Sequence, residues 1–482
     1  MTVPTATKGA DGHHSGPLAG RIAWMLAAAV IVLTFPVILS GRGGTSEAFD
    51  QDRYHLAVIE TMADTWPIVD VVHYKSATGP AYHYVLAGVR RYLTDSKRVL
   101  QSINMLLSAG LIAAVFLFAA RLAGPWPAAA FVLPLLGSKY VISGAIWLTT
   151  DNVALLGVVI AVGGALLMPP SARRGVWCGL SAAAAVSIRQ IHIWSISPLL
   201  ALAVLVGPLR TLFPRVFRHD AILGDHCGSN TSRQPGGSWR RAAAFAISAA
   251  IPAAVLAAFV MAWGGLMPPQ YRDLHSAGMN PSTYGFALAL VGAFGVFYLP
   301  WTWSTLVERN DATLCIRRQT VVIAGVATAA GVVVALIWPT AFNADAGRWG
   351  GPMWEAVRVT PAVADRSLLI VVLSGIGAAV LALMVRAANK AGRGGSAMLL
   401  LLTGLGFVLA QSFNSQAWQR YFEPVVLIWL IWLASLATPP GGAGSPRLMG
   451  WVAALALATI QFSISFVTVY LPAVRAGESV PG

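Results

Sequence analysis

Charge is scarce in this chain. Only 11% of its 482 residues are Asp, Glu, Lys or Arg, whereas soluble domains carry about 25%. That deficit excludes an ordinary soluble enzyme. Cysteine is scarcer still. Cys178, Cys227 and Cys315 make an odd count with no pairing pattern, which excludes a disulfide framework. No stretch is long and polar enough for a separate soluble domain. The nearest, roughly 208–241, is rich in Arg, Gly and Pro and reads as a loop. Within it His219, Asp225, His226 and Cys227 fit no structural zinc spacing, so no metal site is expected.

What fills the chain is apolar: 56% of residues are hydrophobic and the mean hydropathy is +0.67. Apolar runs of about 17 residues or more recur from end to end, each about enough to cross a bilayer core. The expected fold is all-α, a polytopic membrane protein with about thirteen transmembrane helices. They are placed near 22–40, 99–120, 126–142, 151–168, 175–189, 191–207, 242–265, 284–306, 319–339, 367–385, 397–413, 422–438 and 449–471. Residues 22–40 are too long for a signal-peptide core and lack a clear cleavage site, so they read as a retained first span. Residues 81–97 read as a short interfacial helix, because Arg90, Arg91, Lys97 and Arg98 crowd its end. The expected organisation is a cytoplasmic tail over 1–21, one transmembrane domain over 22–471 and an extracytoplasmic tail over 472–482. Inside the domain, 41–98 is an extracytoplasmic loop and 208–241 a cytoplasmic basic loop.

The net charge of +14 could suggest nucleic acid, but its distribution argues otherwise. With the N-terminus in the cytoplasm, the cytoplasmic segments hold 18 basic residues and 5 acids, while the other face holds 15 and 14. The positive-inside rule selects this orientation. The basic surplus then faces membrane lipids of the anionic inner leaflet, and no nucleic-acid partner is expected.

This orientation puts the most polar segment outside. Residues 47–83 gather Asp50, Asp52, His55, Glu60, Asp64, Asp70, His73, Lys75 and His83 into a chain that is otherwise nearly free of charge. Asp151, Arg189, Gln190, His275, Asp345, Arg348, Glu355, Arg420 and Glu423 fall on the same face, although the charge count never used them as a set. On a helix, Asp50 and Asp52 point nearly opposite ways, whereas Asp52 and His55, three apart, share a face. Asp52 is therefore favoured as the functional carboxylate, with Asp50 second; both also read as solvated loop acids. Lys75, in the turn before Pro80, suits either a phosphate or a snorkelling position. Asp151 suits either a site or a helix cap. Arg189, between two closely spaced spans, needs an acid or a lipid phosphate as partner. Arg420 and Glu423, three apart, suit a mutual pair, and Trp263 and Trp418 suit an interfacial belt.

Several local strings carry a resemblance. The chain resembles the GT-C glycosyltransferases, and within them the dolichyl-phosphate-glucose α-1,2-glucosyltransferase family. The strings are Asp50-Gln51-Asp52-Arg53-Tyr54-His55, Thr78-Gly79-Pro80-Ala81-Tyr82 and Thr150-Asp151. Arg189-Gln190-Ile191-His192-Ile193-Trp194 is the most specific, and Arg420-Tyr421-Phe422 with Pro424 closes the set. The acidic pair of that family is interrupted here by Gln51, the tryptophan falls one residue early, and the middle loops share little.

The resemblance implies a transferase that moves a sugar from a polyprenyl-phosphate donor to a glycan or lipid-linked acceptor on the extracytoplasmic face. Such an inverting transfer needs one base, Asp52 or failing that Asp50, and cations to hold the phosphate: Arg189, Lys75, Arg420 or His275. His55, His73, Tyr82, Asp151, Gln190 and Glu423 complete the expected substrate-binding set. No cofactor is expected. Arginine abundance in an Ala/Gly-rich chain points to a bacterial plasma membrane, with an endoplasmic-reticulum membrane as the alternative setting. The competing class is a transporter or flippase of a lipid-linked sugar, which would spread its polar groups along a path through the spans. Here the polar groups cluster at one end.

Overall fold

A computed structural model describes residues 16–167, 171–206, 236–271, 278–310, 313–316, 318–438 and 447–476. The chain is a multi-pass helical membrane protein. Eight helices are long and apolar enough to cross a membrane, and ten spans result if each of two bent helix pairs counts as one. The bent pairs are Pro125–Gly137 with Lys139–Ile146, at 67°, and Ser282–Gly295 with Leu299–Leu306, at 71°. Helices also occupy the remaining expected segments, Asp151–Leu167, Ala172–Ile188 and Ser197–Val206, but these are only 17, 17 and 10 residues long. The 208–241 loop, with His219 and Cys227, lies mostly outside the described residues.

Two small antiparallel hairpins depart from the all-α expectation, Val307–Asn310 with Thr313–Ile316 and Ala362–Val363 with Arg366–Ser367. The second turns on Ala364 and Asp365, whose φ values of 48° and 60° supply the left-handed pair that a two-residue hairpin needs. The Asp365 carboxylate meets Arg348 at 3.3 Å, which helps hold that turn.

The helix Gln419–Ala437 is the centre of the bundle. Its apolar window is 83% buried, against 17–56% for the other long helices. It contacts Lys97–Ala123, Pro125–Gly137, Leu368–Lys390 and Ser282–Gly295. Between the last two, backbones touch: a Cβ on Gly292 would sit 2.1 Å from the Leu373 carbonyl oxygen, and one on Gly377 2.0 Å from that of Leu288. Small residues at such contacts permit close approach in membranes. Gly292→Ala or Gly377→Ala should therefore cost about 1–3 kcal/mol by overpacking, seen as a lower Tm in detergent. Gly325→Ala, where a Cβ meets nothing within 4 Å, should not. Equal Tm values for all three would show that these helices do not pack this closely.

The segment between the first two long helices is built of short helices, as expected. Ser46–Asp50, Gln51–Leu56 and Ala57–Thr65 run on continuously, and the middle piece is π-helical. The helix Ala81–Tyr92 lays Tyr82, His83, Leu86 and Ala87 inward and leaves Val85 and Tyr92 exposed. That face packs on Val58, Ile59 and Met62, forming a small core separate from the main bundle. A second segment, 338–367, docks on the start of the central helix. Trp354 stacks on Phe286 at 4.5 Å and donates to the Ala417 carbonyl at 2.6 Å, and Gln419 N–H donates to Gly350 O at 3.0 Å. These contacts fix the position of Arg420, the next residue.

Candidate functional site

Three helix ends meet beside a continuous helical run. Asp50 lies within the run from Ser46 to Thr65, and another helix begins at Asp151. The Ala172–Ile188 helix is followed by Arg189, and the central helix starts one residue before Arg420. Arg189 forms an ion pair with Asp151, both largely buried. Arg420 reaches Asp50 at 3.3 Å and donates to the Tyr421 hydroxyl at 3.0 Å. The two guanidinium groups flank the same ring, each carbon 5.0 Å from the Tyr421 centroid. They are thus within about 10 Å of each other, where an effective dielectric of ~20 gives a repulsion of at least ~1.7 kcal/mol. Asp50 and Asp151 offset that repulsion. Arg420 also lies over the Trp418 ring at 4.6 Å, and its buried Nε makes no hydrogen bond within the chain.

Two imidazoles stand beside this cluster. His55 Nδ1 and His83 Nε2 are 2.9 Å apart. Burial pushes His83 down to about 4. His55 keeps a sliver of accessible surface, yet burial, His83, Arg189 and Arg420, in that order, hold its pKa well below the usual imidazole value. Both rings are therefore neutral at pH 7, sharing one hydrogen bond. Tyr82 meets the His55 ring edge-on and donates to Asn104 Oδ1 at 3.2 Å. Burial raises its phenol pKa.

Asp52 does not join the cluster. It is exposed and bonded to Lys97 Nζ at 2.6 Å. The shared face expected for Asp52 and His55 assumed α-helical rotation. The π-helix over Gln51–Leu56 closes i→i+5 bonds and turns less per residue, so the two side chains diverge. The residue that looked like an interruption, Gln51, is the anchor. It is buried, its Oε1 accepts from Leu148 N–H and Gln101 Nε2 at 2.9 Å each, and its Nε2 donates to Asp52 at 3.0 Å.

Other expected residues fall elsewhere. Glu423 is not the partner of Arg420. It is buried and bonded elsewhere, accepting from Ser138 Oγ at 2.7 Å and Gln419 Nε2 at 2.6 Å. Gln190 ties two loops together, donating to the carbonyls of Ala77 at 2.7 Å and Leu266 at 3.1 Å. His73 is exposed and bonded to Asp70 at 3.1 Å. The N–H groups of His73 and Val72 hold the Asp70 carboxyl below the ordinary carboxylate range. Lys75 is exposed, although its carbonyl accepts from Tyr271 at 3.0 Å. His275 lies outside the described residues. Trp263, expected at an interfacial belt, is instead buried and donates to the Val71 carbonyl at 2.9 Å.

A cleft opens beside Arg420 and Asp151, lined also by Glu47, Tyr140, Thr149 and Asn152. Sequence reasoning missed Tyr140, Thr149 and Tyr421 as site residues. Glu47 did carry a signal, since it opens the acidic segment. Among the described residues no group of three His, Cys, Asp or Glu side chains comes together to hold a metal.

No family model matches the chain, and no curated protein matches it. Among solved structures it is similar to ArnT from Cupriavidus metallidurans bound to undecaprenyl phosphate, with 16% identity over 87% of this chain and 78% of that one, at a TM-score of 0.38. The same protein in its apo state gives 14% identity over the same shares, at 0.36. At these values the likeness carries no argument about the site or its reaction.

Proposed function

We propose that this chain is a membrane glycosyltransferase that moves a sugar, with inversion, from a polyprenyl-phosphate donor to a hydroxyl of an extracytoplasmic or lipid-linked glycan. The observation that carries this reading is the meeting of Arg189 and Arg420 on Tyr421, beside the carboxylate of Asp50, at one end of an apolar bundle. Two guanidinium forks with unused donors suit the oxygens of a phosphate. A sugar on a lipid phosphate already has a good leaving group. The acceptor oxygen attacks the anomeric carbon, a carboxylate takes its proton, and the bond to the phosphate breaks. The arginines stabilise the negative charge left on that phosphate.

The pairing of Asp50 with Arg420 favours Asp50 over Asp52 as the base, because it sets the carboxylate beside the phosphate-binding forks. Asp52, exposed and held by Lys97, is the second candidate. The reading includes thirteen crossings with the site outside, as the charge distribution suggests.

Right-side-out membrane vesicles, given undecaprenyl-phosphate and dolichyl-phosphate carrying a panel of single sugars together with cell-derived glycan acceptors, test it. Transfer from one lipid sugar is expected, with added donor reaching the site without crossing the membrane. Absence of both transfer and binding across the panel overturns the function. Activity only in inverted vesicles overturns the orientation.

A further inference from the structure

The cleft beside the arginines has unusual walls. Tyr140, Thr149 and Asn152 line it, each more than nine-tenths buried. The Tyr140 hydroxyl, the Thr149 hydroxyl and the Asn152 carbonyl oxygen make no hydrogen bond within the chain, and neither does Arg420 Nε. Most buried polar atoms have partners, so several unpaired atoms in one cleft call for an explanation. Asn152 is held firmly from its other side. Its Nδ2 donates to Ser108 Oγ at 2.9 Å and Val141 O at 2.8 Å, which fixes the amide with its oxygen free. Gly144 allows this, since a Cβ there would lie 2.8 Å from Asn152 Nδ2.

We propose that this cleft is the subsite for the donor's sugar ring, with Tyr140, Thr149 and Asn152 reading its hydroxyls. The proposal rests on the transferase reading above and goes further, naming the residues that select the sugar. An acyl or prenyl chain in the cleft would strand these polar atoms without partners, which is costly. A compact anion would meet the carboxylates of Glu47 and Asp151. A polyhydroxylated ring meets neither objection. Every hydroxyl both donates and accepts, so it can pair with the two protein hydroxyls, give its hydrogen to Asn152 Oδ1 or a carboxylate, and accept from Arg420 Nε. The position fits as well. Arg420 and Asp151 belong to both the cleft and the arginine cluster, so a sugar in the cleft would have its phosphate beside the guanidinium groups.

The two unpaired hydroxyls give a clean test. Thr149→Val and Tyr140→Phe remove groups that make no hydrogen bond within the chain, so both variants should keep the wild-type Tm or exceed it. Two probes are compared on each purified variant: undecaprenyl phosphate alone, and undecaprenyl phosphate carrying the sugar that the panel selects. Each substitution should weaken the sugar-bearing lipid about fivefold, the size of one neutral hydrogen bond, and leave the bare lipid unchanged. Wild-type affinity for the lipid sugar in both variants overturns the proposal, and so does equal weakening of both probes. A defect confined to the acceptor's KM also overturns it. If the wild type binds no lipid phosphate at all, it is the transferase reading that fails.

Discussion

Asp50→Asn is expected to abolish transfer while leaving donor binding largely intact. An amide accepts a hydrogen bond but cannot take the acceptor's proton, and losing a general base costs about 10²–10⁴ in rate. The substitution also removes the negative partner of Arg420, whose guanidinium lies 3.3 Å from it. That change should leave Arg420 freer for phosphate, so donor affinity should hold or rise while kcat falls. Asp52→Asn loses only an exposed contact with Lys97 and should stay within about tenfold of wild type, since exposed pairs contribute ~0–1 kcal/mol. Turnover by both variants, read against donor affinity in the same preparations, decides the assignment. A larger loss in Asp52→Asn would move the base to Asp52. Full activity in both would remove carboxylate base catalysis from the reaction.

The ranking of those two aspartates shows where the sequence stops being legible. Hydropathy located the helices well, because burial in lipid demands long apolar runs and nothing else in the chain imitates them. Charge spacing located the polar strings, because ionisable groups are too costly to scatter through spans. The local geometry of the segment between the first two long helices was not readable. The π-helical stretch over Gln51–Leu56 lowers the rotation per residue without a residue-level signal, and so breaks the face expected to join Asp52 to His55. The partner of Arg420 was equally hidden. Glu423 is its neighbour along the helix, but Asp50, 370 positions away, is its neighbour in space. Tyr140 and Thr149 gave no warning, since a tyrosine and a threonine near a helix end read as ordinary interfacial residues. Asn152 did give one: an amide in the first turn of an apolar helix needs a reason, and its bonds to Ser108 and Val141 supply half of it.

Arg189 and Asp151 carry the second large expectation, and here the pair of mutants matters more than either alone. The two side chains form an ion pair with 12% and 30% of their surfaces exposed. A merely structural pair predicts symmetry: removing either partner leaves the other unpaired in a poorly solvated place and costs similar stability. A phosphate-binding arginine predicts asymmetry. Arg189→Ala removes charge-assisted hydrogen bonds worth about 1.5–3 kcal/mol, so affinity for undecaprenyl phosphate should fall about 10- to 100-fold. Arg189→Lys keeps the charge but loses the planar fork and should fall between wild type and alanine. Asp151→Ala leaves Arg189 intact and without its carboxylate, so the lipid phosphate can take the vacated place. The ligand-free protein should then melt lower than wild type, and added undecaprenyl phosphate should recover more Tm than it does in wild type, because ligand that binds only the folded state stabilises it by mass action. Thermal melts of both alanine variants with and without the lipid separate the two roles. Equal destabilisation in both, with no difference in lipid rescue, would leave Arg189 as a structural partner of Asp151 and pass the phosphate to Arg420 alone.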